Sequence, residues 1–387
     1  MKIIQKELKF ESHSLNLILK ALSSAGLEAR LVGGCVRDAL IGKRVVDIDI
    51  AVAGTPDKIS KILTKENFNI FRILPEFGII MVAVGNEVFE IASLRKDIKC
   101  YGRRADVEFT NDFALDSNRR DFTINALSYD VQEQKIYDYQ GGIDDLHNKQ
   151  VKFIGRAEDK IKEDYSRILR FFRFSSCYAN DIDAEGYKAC VENKKGLEMI
   201  SRFTINKELD KIIMSPKCSL AIAEIEKAGI NTFGKLKLKE LPQPVGHRFL
   251  ETEYAILFSN NPSDKVKTQL KKFLFPKRLV DAVTDIISIK EGDDINFELL
   301  KRWEAKCEME KYVEFATKLN LINEQKRSEF LNTFSSSAPV FPITSHYLMN
   351  LGITGKKLGE TISLLKNSWI KSGFSLSKSE LLNMLGK

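Results

Sequence analysis

The sequence has little of what most metal and disulfide chemistry needs. Its six cysteines, Cys35, Cys100, Cys177, Cys190, Cys218 and Cys307, are scattered and form no CxxC pair. Its four histidines, His13, His147, His247 and His346, form no cluster and no catalytic pairing. These spacings argue against a zinc site and a disulfide framework, and they point to a reducing compartment, the cytoplasm. The histidines are taken as structural. No apolar run approaches the roughly 20 residues of a bilayer-spanning helix. The opening Met1-Lys2-Ile3-Ile4-Gln5-Lys6 lacks the apolar segment of a secretion signal, so no membrane association is expected. Internal repeats and long low-complexity tracts are missing too. What is present is an ordinary soluble composition, 43% hydrophobic and 29% charged, over 387 residues, enough for two to four domains. The formal charge of +7 fits a polyanionic partner without establishing one.

Two regimes divide the chain. Up to about residue 150 the pattern is mixed α and β. Leu15, Ile18, Leu19 and Leu22 follow i, i+3, i+4, i+7 helical spacing. Strands are predicted at Ala29–Val32, Val46–Val52, Phe68–Ile73, Ile79–Val84, Val88–Ala92 and Lys135–Asp138. Beyond about 151 strand signals vanish, lysine rises and helical spacing dominates. Pro242-Gln243-Pro244, Asn260-Asn261-Pro262 and Ser335-Ser336-Ser337-Ala338-Pro339 are expected breaks. The expected architecture is an α+β head over 1–150, then an all-α neck (151–215), body (216–334) and tail (335–387).

Three clusters carry the chemistry. Gly33-Gly34-Cys35-Val36-Arg37-Asp38 precedes Asp47-Ile48-Asp49 by nine residues. Glycines ahead of paired carboxylates can hold a triphosphate against metal. On a strand Asp47 and Asp49 would stand on one face and share Mg²⁺ ions, which activate a hydroxyl nucleophile and neutralise leaving pyrophosphate. In Val88-Phe89-Glu90-Ile91-Ala92 the alternation separates Glu90 from core-facing Phe89 and Ile91. Glu90 could hold metal or accept the proton of an attacking 3′-hydroxyl; the plain alternative is an exposed strand glutamate. The second cluster is Arg119-Arg120-Asp121, at the entry to an expected helix. The guanidinium groups suit phosphate or ribose, and Asp121 would orient one of them or bond a ribose hydroxyl.

The third cluster is Glu163-Asp164-Tyr165-Ser166-Arg167-Ile168-Leu169-Arg170-Phe171-Phe172-Arg173, taken as helix with Ile168, Phe171, Phe172 and Ser175 buried. An Asp acceptor beside an Arg donor matches the amino group and adjacent ring nitrogen of cytosine or adenine, and refuses uracil and guanine. On one continuous helix Arg173 would lie roughly opposite Asp164, so Arg170 and Arg173 are assigned to phosphates or to bracing the head against the helical part. Lys265, Lys267, Lys271, Lys272, Lys277 and Arg278, with Phe273 and Phe275 interleaved, suit RNA phosphates, or else form a solvated helix face.

Together these segments resemble class II tRNA nucleotidyltransferases, the CCA-adding enzymes, with bacterial poly(A) polymerases as close kin. The glycine–DxD segment resembles their catalytic motif, Arg119-Arg120-Asp121 their ribose motif, and Glu163-Asp164-Tyr165-Ser166-Arg167 the motif that selects CTP and then ATP with amino acids as template. Tyr137-Asp138-Tyr139-Gln140-Gly141-Gly142 with Val151–Gly155 is similar to the springy element between head and neck. Asp97–Phe109 is similar to the flexible loop that helps the switch from C to A addition. The segment from Phe341-Pro342-Ile343-Thr344 to Trp369-Ile370 and Gly373-Phe374 is similar to the C-terminal segment. The resemblance implies a polymerase β-like head. It also implies Gly34, Arg37, Arg120, Asp164, Arg167, Arg170 and Arg173 on nucleotide, Asp47 and Asp49 on Mg²⁺, and tRNA, CTP and ATP as substrates. Gly33, Arg119 and Asp121 complete the expected nucleotide site.

Two stretches depart from the family pattern. Phe77-Gly78-Ile79 stands where a His-Gly-Thr-like turn is common, and Ser201-Arg202-Phe203-Thr204 stands where a Glu-Arg pair follows the serine, which questions the neck's bracing. The rivals are an A-adding or CC-adding specialist, a poly(A) polymerase, and a non-catalytic RNA-binding protein of the same fold.

Overall fold

The structure, a computed structural model, describes residues 1–10, 12–101, 104–242, 248–290, 306–319, 325, 327, 328, 341–372 and 375–385. Gly102, Arg103, Gln243, Pro244, His247, Ser335–Pro339, Gly373 and Phe374, named above, lie outside the described residues. The chain divides into two units, Met1–Asn231 and Thr232–Lys387.

Among its described residues the first unit holds ten strands: β1 (Lys2–Gln5), β2 (Ala29–Val32), β3 (Asp49–Val52), β4 (Asn69–Leu74), β5 (Ile79–Val84), β6 (Glu87–Ser93), β7 (Arg95–Tyr101), β8 (Arg104–Phe109), β9 (Ser128–Asp130) and β10 (Lys135–Asp138). Eight of them form one sheet in the order β1-β10-β9-β2-β3-β6-β5-β4, and β7 pairs with β8 in a separate hairpin. Only the β3–β6 pair of the large sheet is parallel. Its core face carries Leu31, Ile50, Val52, Ile80, Val82, Phe89 and Ile91, covered by α1 (His13–Ser24) through Leu15, Ile18, Leu19 and Leu22 as the spacing predicted. Ser12 caps α1 by accepting the Leu15 N–H at 3.0 Å. The glycine turn opens α2 (Gly34–Leu40), and α3 (Pro56–Lys65) buries Ile59 and Leu63 on the same core.

Short elements then lead into the helical part: α4 (Phe113–Asn118), α5 (Gly142–His147), α6 (Ala157–Glu163), α7 (Arg167–Tyr178), α8 (Ala184–Asn193), α9 (Arg202–Ile213) and α10 (Cys218–Lys227). Gly142 starts α5 where a Cβ would stand 2.1 Å from the Thr123 carbonyl oxygen, so no larger residue fits. Along α7 Ile168, Phe171, Phe172 and Ser175 are buried, and Phe171 stacks on Phe153 with centroids 5.4 Å apart.

The α+β head and the helical remainder agree with expectation, and among the described residues no named strand follows Asp138. Several boundaries do not. The strand expected from Val46 begins only at Asp49, and Val46 is 82% exposed. One neighbour contributes to this: β2 pairs Leu31 with Ile50, and one residue beyond Val32 the chain turns away at Gly33, so β2 offers no partner to residues before Asp49, although β6 on the other side runs back to Glu87. Asp97–Phe109, expected as a loop, is most of the β7–β8 hairpin. Arg119 and Arg120 leave a helix rather than enter one. Asp164 lies between α6 and α7 in extended conformation (φ −153°), not on the helix.

The second unit is helical among the described residues. Leu250–Phe258, Ser263–Lys272, Lys277–Lys290 and Lys306–Lys318 are helices, with the expected break at Asn260-Asn261-Pro262 between the first two. Tyr254, Phe258, Phe233 and Phe275 form an aromatic core. Ser345–Asn350, Gly355–Lys371 and Lys378–Asn383 pack a separate cluster of Ile343, Leu348, Leu365, Trp369 and Leu381. No helix among the described residues is long and apolar enough to cross a membrane.

Candidate active site

The site begins where β2 ends. Gly33 has φ 75°, a left-handed conformation open to glycine, and its N–H donates to the Leu127 carbonyl at 2.9 Å. A Cβ there would stand 3.0 Å from Arg120 Nη1. One turn on, Arg37 is buried, its Nε and Nη2 donating to Asp38 at 3.0 and 2.9 Å and its Nη1 to Asn125 Oδ1.

The carboxylates meet across the parallel pair, with Asp49 in register with Glu90. Burial raises the pKa of Asp49; Arg120 opposes the rise and the nearby Asp47 charge adds to it. Burial raises Glu90 as well, the Asp49 charge adds, and Arg95 opposes. Phe89 and Ile91 face the core on either side of Glu90, as the alternation required. Asp47, expected beside Asp49 on a strand face, is instead an exposed residue of the segment leading into β3. Among the described residues no three His, Cys, Asp or Glu side chains are already gathered as a metal-holding group, while Asp49 feels the charge of Asp47 and Glu90 that of Asp49. Two coupled carboxylates held above their ordinary pKa are chemically suited to a divalent cation, which would relieve their repulsion.

Beyond the carboxylates stands a bank of arginines, each paired with an acid. Asp116, 3% exposed, accepts Arg119 Nε at 2.9 Å, Arg120 Nη2 at 3.2 Å and the Arg95 N–H at 3.2 Å. Burial alone would raise its pKa, but Arg120 and Arg119 outweigh it and hold the carboxyl below its ordinary range. Asp121, equally buried, accepts the Phe122 N–H at 2.8 Å, Asn125 Nδ2 at 3.0 Å and Arg170 Nε at 2.7 Å. It therefore orients Arg170, not Arg119 or Arg120 as expected, because Asp116 already holds those two. Arg173 donates to Glu208 at 2.7 Å from the facing helix α9. Glu208 thus supplies the bracing that the departure at Ser201–Thr204 had put in question, while Ser201 caps α9. Arg167 donates Nη2 to the Arg119 carbonyl at 2.9 Å and Nη1 to the Lys160 carbonyl at 2.8 Å and to Glu163. Asp164 Oδ1 accepts the Ser166 N–H at 2.9 Å.

These groups line one open cavity of about 690 Å³. Of the residues singled out from sequence it gathers Gly33, Gly34, Arg37, Asp49, Arg119, Arg120, Asp121, Asp164, Arg167, Arg170 and Arg173. Asp47 and Glu90 do not line it. Asp164 and Arg173 share the cavity because Asp164 precedes the helix, so the geometric limit expected for a single continuous helix does not apply. Sequence reasoning missed Asn125, Ser166, Phe174, Thr204, Lys207, Glu208 and Lys211 as lining residues. Glu208 and Lys211 follow the departure at Ser201-Arg202-Phe203-Thr204 in the places the family pattern keeps; Asn125 and Phe174 sat inside the second and third clusters and were passed over. Eight cationic side chains against four carboxylates make the lining strongly positive, suited to a nucleoside triphosphate.

Elsewhere, Lys265, Lys267, Lys271, Lys272, Lys277 and Arg278 are exposed, but Phe275 is buried against Tyr254 and offers no ring to a base. His13, His147 and His346 are exposed surface residues, and none lines the cavity.

A mixed sheet presenting a glycine turn, paired carboxylates and an arginine-lined cavity defines a nucleotidyltransferase head, and residues 29–152 match the Poly A polymerase head domain family. Over 93% of its length the chain is 31% identical to the mitochondrial CCA tRNA nucleotidyltransferase 1 of Danio rerio, covering 87% of that protein. The Homo sapiens protein of the same name is 30% identical over the same shares. The CCA-adding enzyme of Oceanobacillus iheyensis is 35% identical over 66% of this chain and 65% of its own. Among solved structures, Bacillus stearothermophilus CCA-adding enzyme in complex with CTP superposes with a TM-score of 0.74 at 21% identity, covering 98% of both chains. Thermotoga maritima CCA-adding enzyme complexed with tRNA gives 0.57 at 17% identity, over 97% of this chain and 96% of that one. The chain belongs to the CCA-adding tRNA nucleotidyltransferases, an enzyme family that uses a divalent metal.

Proposed function

We propose that this cavity carries the template-free addition of C, C and A to the 3′ end of tRNA from CTP and ATP, releasing pyrophosphate. Mg²⁺ held by Asp47 and Asp49 would polarise the α-phosphate and neutralise the leaving pyrophosphate. Glu90, whose pKa burial raises and which is in register with Asp49 on the neighbouring strand, would take the proton of the tRNA 3′-hydroxyl. Gly33 and Gly34 let the triphosphate approach the backbone while Arg37, Arg119 and Arg120 bind phosphate and ribose oxygens. Arg170 and Arg173, pinned by Asp121 and Glu208, complete the positive wall.

Base choice rests on Asp164 and Arg167. With Oδ1 of Asp164 held by Ser166, Oδ2 accepts the amino group of cytosine or adenine. Arg167 has Nη1 and part of Nη2 committed to Glu163 and to two backbone carbonyls, which leaves Nε–H to donate to the adjacent ring nitrogen. The observation that carries the reading is that this pair lines the same cavity as Asp49, Arg37 and Arg120. The test is Asp164→Ala with all four triphosphates supplied singly. Preference for C and A over U and G should fall at least about tenfold, the loss of one buried hydrogen-bonded discrimination. Unchanged selectivity would remove Asp164 from base reading.

Phosphate contacts to tRNA are assigned to the exposed lysines of Ser263–Lys272 and the start of Lys277–Lys290. The division into head 1–150, neck 151–215, body 216–334 and tail 335–387 belongs to the same proposal. So does a cytoplasmic setting, which fits Cys35, Cys177 and Cys190 standing as free thiols.

A further inference from the structure

Arg37 is the most deeply buried arginine of the cavity. Its side chain is 6% exposed, and three of its five N–H groups are committed, two to Asp38 and one to Asn125. Asp38 is itself held by a residue far along the chain. Tyr178 donates its hydroxyl to Asp38 Oδ1 at 2.8 Å, and the same ring lies 4.1 Å from the Arg37 guanidinium carbon. Phe174, one turn earlier, stands 5.3 Å from that carbon. A second tie backs the first: Lys43 Nζ lies 4.2 Å from the Tyr178 ring centroid and donates to the Cys177 carbonyl at 3.4 Å. Tyr178 is the last residue of α7, the helix whose earlier turns supply Arg167, Arg170 and Arg173 to the cavity.

We propose that Tyr178 is a positioning residue for the phosphate end of the incoming nucleotide, its hydroxyl pinning Asp38 and its ring shelving Arg37 so that the remaining Arg37 N–H groups stay aimed into the cavity. The proposal rests on the reading of Arg37 as a triphosphate ligand. Burial raises the Tyr178 pKa, Arg37 opposes the rise and the Asp38 hydrogen bond adds to it; the net upward shift keeps the hydroxyl a donor at neutral pH. Helix α7 thereby acts on both ends of the substrate. Its early arginines meet the ligand directly, and its last residue acts through Arg37. CTP and ATP carry the same triphosphate, so disturbing this link must weaken both equally. Damage to the base-reading end of α7 would leave a base-free polyphosphate unaffected.

The test uses the full chain with tRNA, comparing wild type, Tyr178→Phe and Arg37→Ala. Readouts are KM for CTP and for ATP, kcat, and the inhibition constant of inorganic tripolyphosphate competing with CTP. Tyr178→Phe keeps the ring and removes the hydroxyl. It should raise both KM values and the tripolyphosphate constant by one common factor of about 3 to 10, with kcat within twofold, the signature of weakened binding shared by ground and transition states. Arg37→Ala should raise the tripolyphosphate constant further. If it does and Tyr178→Phe leaves that constant unmoved, the positioning role is wrong and the reading of Arg37 stands. If Arg37→Ala also leaves it unmoved, the reading fails and the proposal with it. A KM change for one nucleotide alone likewise overturns the proposal. Should Tyr178→Phe fold poorly, Asp38→Asn, which weakens the anchor that Tyr178 holds and Arg37 uses, must raise both KM values and the tripolyphosphate constant by one common factor of its own, and a change in one nucleotide's KM alone overturns the proposal.

Discussion

Replacing Asp121 with asparagine should cost this protein more stability than most single surface changes, and the structure says where the loss arises. The carboxylate is 6% exposed and accepts from Phe122 N–H, Asn125 Nδ2 and Arg170. An asparagine offers one acceptor oxygen, so its amide group must face either Arg170 or the two donors at Phe122 and Asn125. Either orientation opposes donor to donor. Arg170, its side chain 31% exposed, would keep Glu208 at 3.9 Å and gain some water, which softens the loss. Breaking a buried pair from one side costs about 3–5 kcal/mol, and that partial exposure brings the expectation to about 2–4 kcal/mol. Urea unfolding by far-UV circular dichroism, with amide exchange along α7, is the assay. Tryptophan fluorescence would miss the effect, because both tryptophans, Trp303 and Trp369, lie beyond Asn231. The pH dependence has a definite sign. Burial alone would raise the Asp121 pKa, but Arg170 and the Asn125 hydrogen bond hold it below the ordinary value. Its stabilisation is therefore complete above the unfolded-state pKa of about 3.9 and fades as pH falls through the lower native one. The variant's deficit should stay constant from neutral pH down to about 4 and shrink only below that. A deficit under about 0.5 kcal/mol, or one that titrates near neutrality, would refute the reasoning.

Asp49 and Glu90 carry the opposite sign. Their native pKa values are raised, so each loses stability as pH climbs from the unfolded value through the native one. Asp49→Asn and Glu90→Gln should raise the melting temperature at pH 8 more than at pH 4, while Asp49→Asn lowers turnover at least about 100-fold; a lower melting temperature at pH 8 contradicts the carboxylate pairing. Gly33→Ala combines a left-handed φ with a Cβ 3.0 Å from Arg120 Nη1. It should cost about 1–2 kcal/mol in unfolding experiments and raise KM for both nucleotides. Lys271→Gln with Lys272→Gln should flatten the logarithmic salt dependence of tRNA affinity by about one unit for each phosphate these lysines neutralise, and an unchanged slope would move the RNA-binding face elsewhere.

Periodicity revealed faces well and ends poorly. The alternation through Phe89, Glu90 and Ile91 placed Glu90 away from the core, and the spacing of Ile168, Phe171, Phe172 and Ser175 picked out the buried side of α7. Both are local patterns that burial enforces directly. At Val46–Asp49 the apolar run continues past the point where β2 turns away at Gly33, and β3 loses its pairing on that side although β6 runs back to Glu87. Asp164 left the helix for a similar reason, its extended backbone and the Ser166 N–H bond breaking the run between α6 and α7. Edge strand β1 went unseen because its four residues are mostly exposed and carry no apolar alternation. The acids that fix the arginines were the least legible part. Asp116 gathers Arg119, Arg120 and the Arg95 N–H, and Glu208 meets Arg173 from 35 residues away. The Asp116 pairs lie at i, i+3 and i, i+4, a spacing the sequence does carry, whereas the Arg95 N–H and Glu208 contacts are made by tertiary packing and leave no mark in spacing.

The most direct measurement incubates the purified protein with tRNA ending at the discriminator base, Mg²⁺, and CTP, ATP or both, resolving products at single-nucleotide length. The account predicts growth by two with CTP alone and by three, then arrest, with both. Arrest after two with both present would mean a CC-adding enzyme, extension only of tRNA already ending in CC an A-adding specialist, and a long ladder a poly(A) polymerase. No extension at all would contradict the assignment of Asp47, Asp49 and the arginine-lined cavity to catalysis.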